Sequence, residues 1–409
     1  MSLSPKMSLS PTPQRVAYLY LTIVTAQFRE LTQIVPVCRL DTFRHLKESA
    51  ARQHGAGSAR LESAANLNMA LNVLQLGPIS GTCLDRAHAM RRLGHTVDHL
   101  DLRQMLPKTV WVDRITWRLG GEWFGPWIIR HLRTLLANRH YDLCYVEGGE
   151  WVTAAVIRLL RDHGSRLVNY NIDDPFGPRD GARFRAYRNS LCHYDLCVVV
   201  RSENIKEALD RGARDVLCVF RSADEINHSP RTLTVEDWEQ WGSEVLFLGT
   251  CFPERGAFMR RLIELGVPIT IRGDDWHKAR EWPVIQPHWK GGAVWGDEYA
   301  KAIQCAKVCL GLVSKGNRDL HTTRSSEIPA LGSLLCAERT ADHLQMYEDG
   351  KEALLWSSPE ECAALCNYAL ENDERRQAIA RAGKARVLLN GHYNEHVLQT
   401  IISRAMRPH

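Results

Sequence analysis

Asp319-Leu-His-Thr-Thr-Arg324-Ser-Ser-Glu327-Ile-Pro-Ala-Leu-Gly332-Ser-Leu-Leu-Cys336 reads as a loop, a short helix opening at Glu327, and a turn at Gly332 into an apolar strand. An acid at a helix mouth, three residues after an arginine, suits a ligand carrying both hydroxyls and anionic charge. The carboxylate can accept hydrogen bonds from vicinal hydroxyls. The guanidinium and the free helix N–H groups can hold an anion. Two plainer roles stay open: Glu327 as a cap for its own helix, and Arg324 as an ion-pair partner of Glu327 or another surface acid.

Around this stretch the chain follows one plan twice. Leu71 to Leu76 has strand character, Gly77 to Thr82 is a loop, Cys83 to Leu93 has helical spacing, and Thr96 to Asp101 is a second strand. The unit recurs with a strand at 141–146, a helix at 151–162 and a strand at 166–171, and further strands follow at 196–200 and 216–218. A break falls at Asn227 to Gly242, and the plan then restarts with strand 245–250, helix 255–265 and strand 269–273. A helix at 298–306, strands at 308–313, 333–337 and 353–356, and two closing helices complete it. Strands alternating with helices imply parallel sheets covered on both faces. The expected class is α/β, two doubly wound Rossmann-like domains facing a central cleft, with the ligand at the strand ends.

The bulk numbers agree. At 409 residues the chain exceeds one ordinary core. The net charge of +5 comes from scattered arginines, whereas a nucleic-acid partner would call for a concentrated basic face. Twelve cysteines include no C-x-x-C, and no metal-binding His/Cys spacing appears, so free buried thiols in a reducing cytosol are expected. Residues 1–66 differ in character. Met-Ser-Leu-Ser-Pro occurs at 1–5 and again at 7–11, and the apolar run Val16 to Phe28 falls short of the ~20 residues a spanning helix needs. The expected divisions are a poorly ordered extension over 1–66, an N-terminal acceptor domain over 67–230, a linker over 231–243 and a C-terminal donor domain over 244–409.

The order of motifs resembles the GT-B glycosyltransferases, and within them the CgeB-like (spore-maturation) branch of glycosyltransferase group 1. The likeness covers most of Leu71 to Leu398. It is carried by Phe247-Leu-Gly-Thr250 with Glu254-Arg-Gly256, Ile271-Arg-Gly273-Asp-Asp-Trp276, Trp295-Gly-Asp-Glu-Tyr299, the opening stretch, Glu348-Asp-Gly350 and Glu374 to Gly383. In the first half Gly94-His95-Thr-Val and Ile172-Asp173-Asp174-Pro175 are similar too.

The resemblance implies a nucleoside-diphosphate sugar as donor substrate, held by the second domain without a cofactor. Glu327 would accept the ribose hydroxyls. Asp319 stands where the family often has glutamate, eight residues earlier, and its shorter carboxylate alters the expected contact with the donor sugar. Arg255 would face the diphosphate, or else be a solvated first-turn residue. Gly249 and Thr250 would let the backbone approach the phosphates, and Gly273 ends the neighbouring strand. Trp295, beside Val294, occupies the place of base recognition. Arg324 and His321 complete the expected nucleotide-sugar set. Trp276 either packs beneath a loop or stacks on ligand.

An inverting transfer needs a base on the acceptor side. Asp174 and Asp173 follow a strand and precede Pro175, which places them at a strand end facing the cleft. A structural Asx-Pro turn is the alternative for Asp174, and Glu147, Glu150, His193 and His95 are rivals as base. A retaining transfer would need no such base. The pairs Asp173-Asp174 and Asp274-Asp275 lack the Asp-x-Asp spacing of metal-dependent transferases, so no metal is expected. The acceptor is sought near Lys108 to Trp127, where Trp111, Trp117, Trp123 and Trp127 would form a sugar platform, a membrane contact or core packing. A cytoplasmic enzyme is expected, with peripheral association with a membrane left open as an alternative. An epimerase on the same fold and a non-catalytic assembly protein are the competing readings.

Overall fold

The computed structural model describes residues 70–407, and the expected N-terminal extension lies outside them. The apolar runs become strands β1 (Asn72–Leu76), β2 (Thr96–Leu100), β3 (Tyr141–Glu147), β4 (Gly164–Asn171), β5 (Leu196–Val199) and β6 (Val216–Cys218), then β7 (Ser243–Leu248), β8 (Ile269–Arg272), β9 (Ala306–Gly311), β10 (Leu334–Glu338) and β11 (Leu354–Trp356). The first sheet runs β2-β1-β3-β4-β5-β6 and the second β11-β10-β9-β7-β8. Every pairing between strands is parallel. Central strands such as β7 are buried on both faces, which is why they read as unbroken apolar runs rather than alternations.

The main helices are α1 (Gly81–Arg92), α2 (Val110–Leu119), α3 (Gly125–Leu136), α4 (Ala154–His163), α5 (Glu203–Leu209), α6 (Val235–Trp241), α7 (Arg255–Glu264), α8 (Gly296–Gln304), α9 (Arg324–Ala330), α10 (Ala341–Met346), α11 (Pro359–Glu371), α12 (Asp373–Leu389) and α13 (Asn394–Ala405). In both sheets the strand order reverses beside the first strand, between β1 and β3 and again between β7 and β9. These switch points leave a crevice outside the carboxyl ends of the strands, where ligands of such sheets bind.

Two departures from the sequence expectation have physical causes. The segment read as a linker contains α6, which starts on a capping box: Thr234 Oγ1 accepts from Asp237 N, and the Asp237 carboxylate accepts from Thr234 N. The final helix does not stay with the second half. Val397, Leu398, Ile401 and Ile402 of α13 join one core cluster with Val168, Leu196 and Val198 of the first sheet and with Ala87 and Met90 of α1. Arg92 on α1 then pairs with Asp224, Glu225 and Glu395, tying α1, the inter-sheet segment and α13 together. The stripe of apolar residues on α13 shows that the helix packs, but not on which sheet.

The eleven described cysteines are free. Cys336, Cys362 and Cys366 bring their sulfurs within 4.8 Å of one another. They lie in the second core among Leu334, Leu354, Ala363 and Ile379. Three thiols packed as apolar core atoms account for that placement.

Candidate active site

A cavity of about 320 Å3 opens at the switch point of the second sheet. Its floor is the end of β7 with the Gly249-Thr250 turn, together with Leu312 and Ser314 beyond β9; its far wall is Ile172 and Asp173, beyond β4 of the first sheet. Four arginines face it, Arg179, Arg221, Arg255 and Arg324, against two carboxylates, Asp173 and Asp319.

Arg255 is buried and, among the described residues, lacks a charged partner. It opens α7 and lies over the rings of Phe252 (4.3 Å) and Phe247 (5.4 Å). Its guanidinium donates only to carbonyls, those of Thr250 (2.8 Å) and Leu312 (3.3 Å), and Nε has no partner. Among the described residues no carboxylate pairs with it. Burial, against support from Glu254 and with repulsion from Arg324, pushes its pKa down to about 10. A buried cation facing a cavity without a counterion is an unmet demand for an anion. Phe252 carries a second guanidinium on its ring, that of Arg179 at 5.0 Å.

Gly249 and Gly273 make this geometry attainable. A Cβ at Gly249 would meet the Phe247 ring and the Arg255 guanidinium, and one at Gly273 would run into the Gly249 carbonyl. Gly273 also has φ +134°, a conformation reserved for glycine. Trp276 is packed beneath this loop, its indole N–H donating to the Gly249 carbonyl at 3.0 Å.

The opening stretch folds one turn earlier than its pattern suggests. Helix α9 starts at Arg324, which makes Glu327 its fourth residue rather than its mouth. Glu327 is buried behind Arg324. Its carboxylate accepts from Tyr299 Oη (2.5 Å) and Arg324 Nη1 (2.7 Å), with His228 Nε2 at 3.5 Å. Burial alone would raise its pKa, but Arg324, His228 and Tyr299 together hold it below the usual range. Arg324 also lies 4.7 Å over the Tyr299 ring, so it presents to the cavity a face fixed from behind.

Asp319 lines the cavity between two buried guanidiniums of the first half. It pairs closely with Arg201 and accepts from Arg221 Nη2 at 3.1 Å. His321 does not line the cavity. Its Nε2 accepts from Arg221 N (3.0 Å) and its Nδ1 lies 2.7 Å from Asp342, and burial lowers its pKa, so the ring is neutral with Nδ1–H donating. Trp295 is exposed at the start of α8, away from the cavity.

On the first-sheet side of the cavity the two aspartates separate. Asp174 is buried and saturated: Arg318 donates to both its oxygens (2.5 and 2.9 Å), Asn204 donates at 3.0 Å, and the N–H groups of Phe176 and Gly177 donate to Oδ1. It forms the turn around Pro175. Burial opposes ionisation there, but the Arg318 and Asn204 bonds hold the pKa low. Asp173 lines the cavity, with Arg183 at 3.0 Å. Of the rivals, Glu147 is bound bidentately by Arg86 and Glu150 pairs with Arg183. His95 accepts from Leu71 N, and His193 offers its carbonyl to Arg161.

Arg179, Arg201, Arg221 and Phe252 escaped the motif reading. A positional signal could have found two of them. Arg201 and Arg221 each stand two or three residues beyond the end of a strand, β5 and β6, where parallel sheets carry their ligand groups.

Residues 255–403 match the family model described as glycosyl transferase-like. No curated protein sequence matches the chain. Among solved structures, sucrose-phosphate synthase from Thermosynechococcus elongatus superposes with a TM-score of 0.59 at 10% identity, covering 81% of this chain and 98% of its own. Anabaena Alr3699/HepE in complex with UDP-glucose gives 0.55 at 12%, covering 82% and 98%. A trehalose-6-phosphate structure from E. coli bound with UDP-2-fluoro glucose gives 0.57 at 13%, covering 83% and 99%. At such identities the superpositions speak for the fold. No described helix is long and apolar enough to cross a membrane. Residues 255–403 thus carry the pattern of the glycosyl transferase-like family, and the described chain as a whole has the GT-B glycosyltransferase fold.

Proposed function

We propose that the chain transfers a sugar, of the hexose class, from a nucleoside-diphosphate sugar to an acceptor, with the diphosphate seated on Arg255. The observation that carries this reading is the buried, counterion-free Arg255 at the β7–β9 switch point. Breaking the anomeric C–O bond places negative charge on the departing diphosphate. Arg255 and Arg324, already oriented and partly desolvated, stabilise that charge as it develops. The arginines supply the compensation that a metal gives other transferases, so the reaction proceeds without one. Asp173 is the cleft carboxylate that would take the acceptor proton in an inverting transfer; Asp174, bound by Arg318, Asn204 and two backbone N–H groups, holds the turn instead. The finer likeness to the CgeB-like branch rests on the ordered motifs from Val245 onward.

Neighbours of this fold hold UDP or UDP-glucose, so UDP-sugars are the first donors to test, with GDP- and dTDP-sugars beside them. Calorimetry on the purified protein should show binding to one member. Released nucleotide with a transferred sugar supports the proposal, an epimerised donor supports the epimerase, and no binding by any member removes both. Arg255→Met should weaken the productive nucleotide by about 1.5–3 kcal/mol, the scale of hydrogen bonds to a charged group. The melting temperature should move little, because the lost bonds to the Thr250 and Leu312 carbonyls are offset by removal of a buried cation that has no carboxylate partner among the described residues.

A further inference from the structure

The four tryptophans of the 108–127 segment do not pack into the core. Trp111 is 64% exposed, Trp117 43%, Trp123 70% and Trp127 50%, with Val110, Leu119 and Leu135 exposed beside them. Trp111 and Trp117 sit on the solvent face of α2, Trp127 on that of α3, and Trp123 on the 3-10 turn Glu122–Phe124 that joins them, while the inner faces of the two helices bury Val112, Ile128 and Leu132. Scattered exposed apolar residues are ordinary, but so many indoles within one short segment form a patch that calls for a cover.

The charge of the same surface selects the cover. Lys108, Arg114, Arg118, Arg130 and Arg133 are all exposed here. The two acids of the segment are already neutralised, Asp113 by Arg103 and Glu122 by Arg185. Among the described residues no carboxylate pairs with any of the five basic side chains. Basic residues interleaved with indoles match the boundary between anionic headgroups and acyl chains, where an indole buries its ring and keeps its N–H wet. Beside the patch lies an apolar recess of about 360 Å3, lined by Pro126 and Ile129 of α3 and by Ala154, Ala155 and Ala186. At its polar end Ser190 Oγ is buried without a partner.

We infer that the outer faces of α2 and α3 dock this protein on an anionic membrane surface. The patch is joined to the cleft: the Arg183 guanidinium lies 5.9 Å from the Trp117 ring and bonds Asp173 on the cavity wall. Docking therefore sets the acceptor side of the cleft close to the bilayer.

The test is vesicle flotation of the full chain. It should float with phosphatidylcholine vesicles containing about one-third phosphatidylglycerol, not with phosphatidylcholine alone, and release in high salt as the headgroup attraction is screened. Its tryptophan emission should shift to the blue on binding. The variant carrying Trp111→Ala, Trp123→Ala and Trp127→Ala should lose at least about tenfold in vesicle affinity, as buried aromatic area is removed, with an unchanged melting temperature. Arg114→Glu with Arg130→Glu should abolish the preference for anionic vesicles. Flotation that survives both variants, no flotation at all, or a concentration-dependent dimer that the tryptophan variant abolishes would each overturn the inference.

Discussion

At the scale of single residues, the site is governed by which charges are paired. Glu327, Asp174 and Asp319 are satisfied by arginines, whereas Arg255 is not. The pairing has a pH signature. The folded state holds the Glu327 carboxyl below its ordinary value of 4.5. A group with a depressed folded pKa contributes stability above its unfolded value, and that contribution is lost as pH falls through the folded one. Acid titration of stability should therefore steepen below about pH 4.5 in the parent. In Glu327→Gln part of that slope should be missing, and chemical denaturation across pH 3 to 6 would read it, at roughly these values. Gly249, Arg255 and Arg324, which line the cavity, were legible as residue types because they stand at fixed offsets from strand ends. The partners of Asp319 were not legible: Arg201 and Arg221 lie about a hundred residues before it, and ion pairs across such spans leave no local periodicity. The same reason hid the fate of Asp174, whose Arg318 partner is equally remote.

At the scale of an element, α9 shows how a helix tolerates an internal proline. Pro329 sits within Arg324–Ala330 and has no N–H for the Ser325 carbonyl one turn back. Tyr347, at the end of α10, supplies the missing donor, its hydroxyl bonding that carbonyl at 2.6 Å. Helix α9 carries Arg324 and Glu327, so this bond holds part of the cavity wall. Tyr347→Phe should cost about 1–3 kcal/mol, the penalty for leaving a buried acceptor unmet. Urea unfolding would measure it, and an unaltered midpoint would mean that the helix bends to find another donor. The sequence announces the turn at Gly332 and the strand after it. It misplaces the helix start by one turn, because Thr323 offers no side-chain cap and the fold sets the boundary through α9 packing on α12 and β10.

At the scale of the whole molecule, both sheets and their order of appearance follow from the alternation of apolar runs and helical spacings. The destination of the last helix does not. Helix α13 places Val397, Leu398, Ile401 and Ile402 against the first sheet, worth about 1.5–3 kcal/mol for each fully buried side chain. Their sum rivals the whole stability of an ordinary domain. Truncation after Tyr393 should therefore leave an insoluble or protease-sensitive chain. Removal of residues 1–66 should leave circular dichroism, melting and nucleotide binding intact, because residues 69–409 form their own compact unit. Soluble, cooperative unfolding of the chain truncated after Tyr393 would show that the first sheet closes its core by other means.

The return of α13 also constrains synthesis. The first sheet is translated early, yet Val168 of β4 and Leu196 and Val198 of β5, in the cluster that α1 also joins, receive the last of their cover from residues 397–402. As the chain emerges from the ribosome, that face waits, covered only in part by α1, through the making of the entire second half. Domains generally fold as units in order of emergence, but here the half made first is finished last. Chaperone capture of the nascent chain should be longest over that interval, ending when the closing helix leaves the exit tunnel.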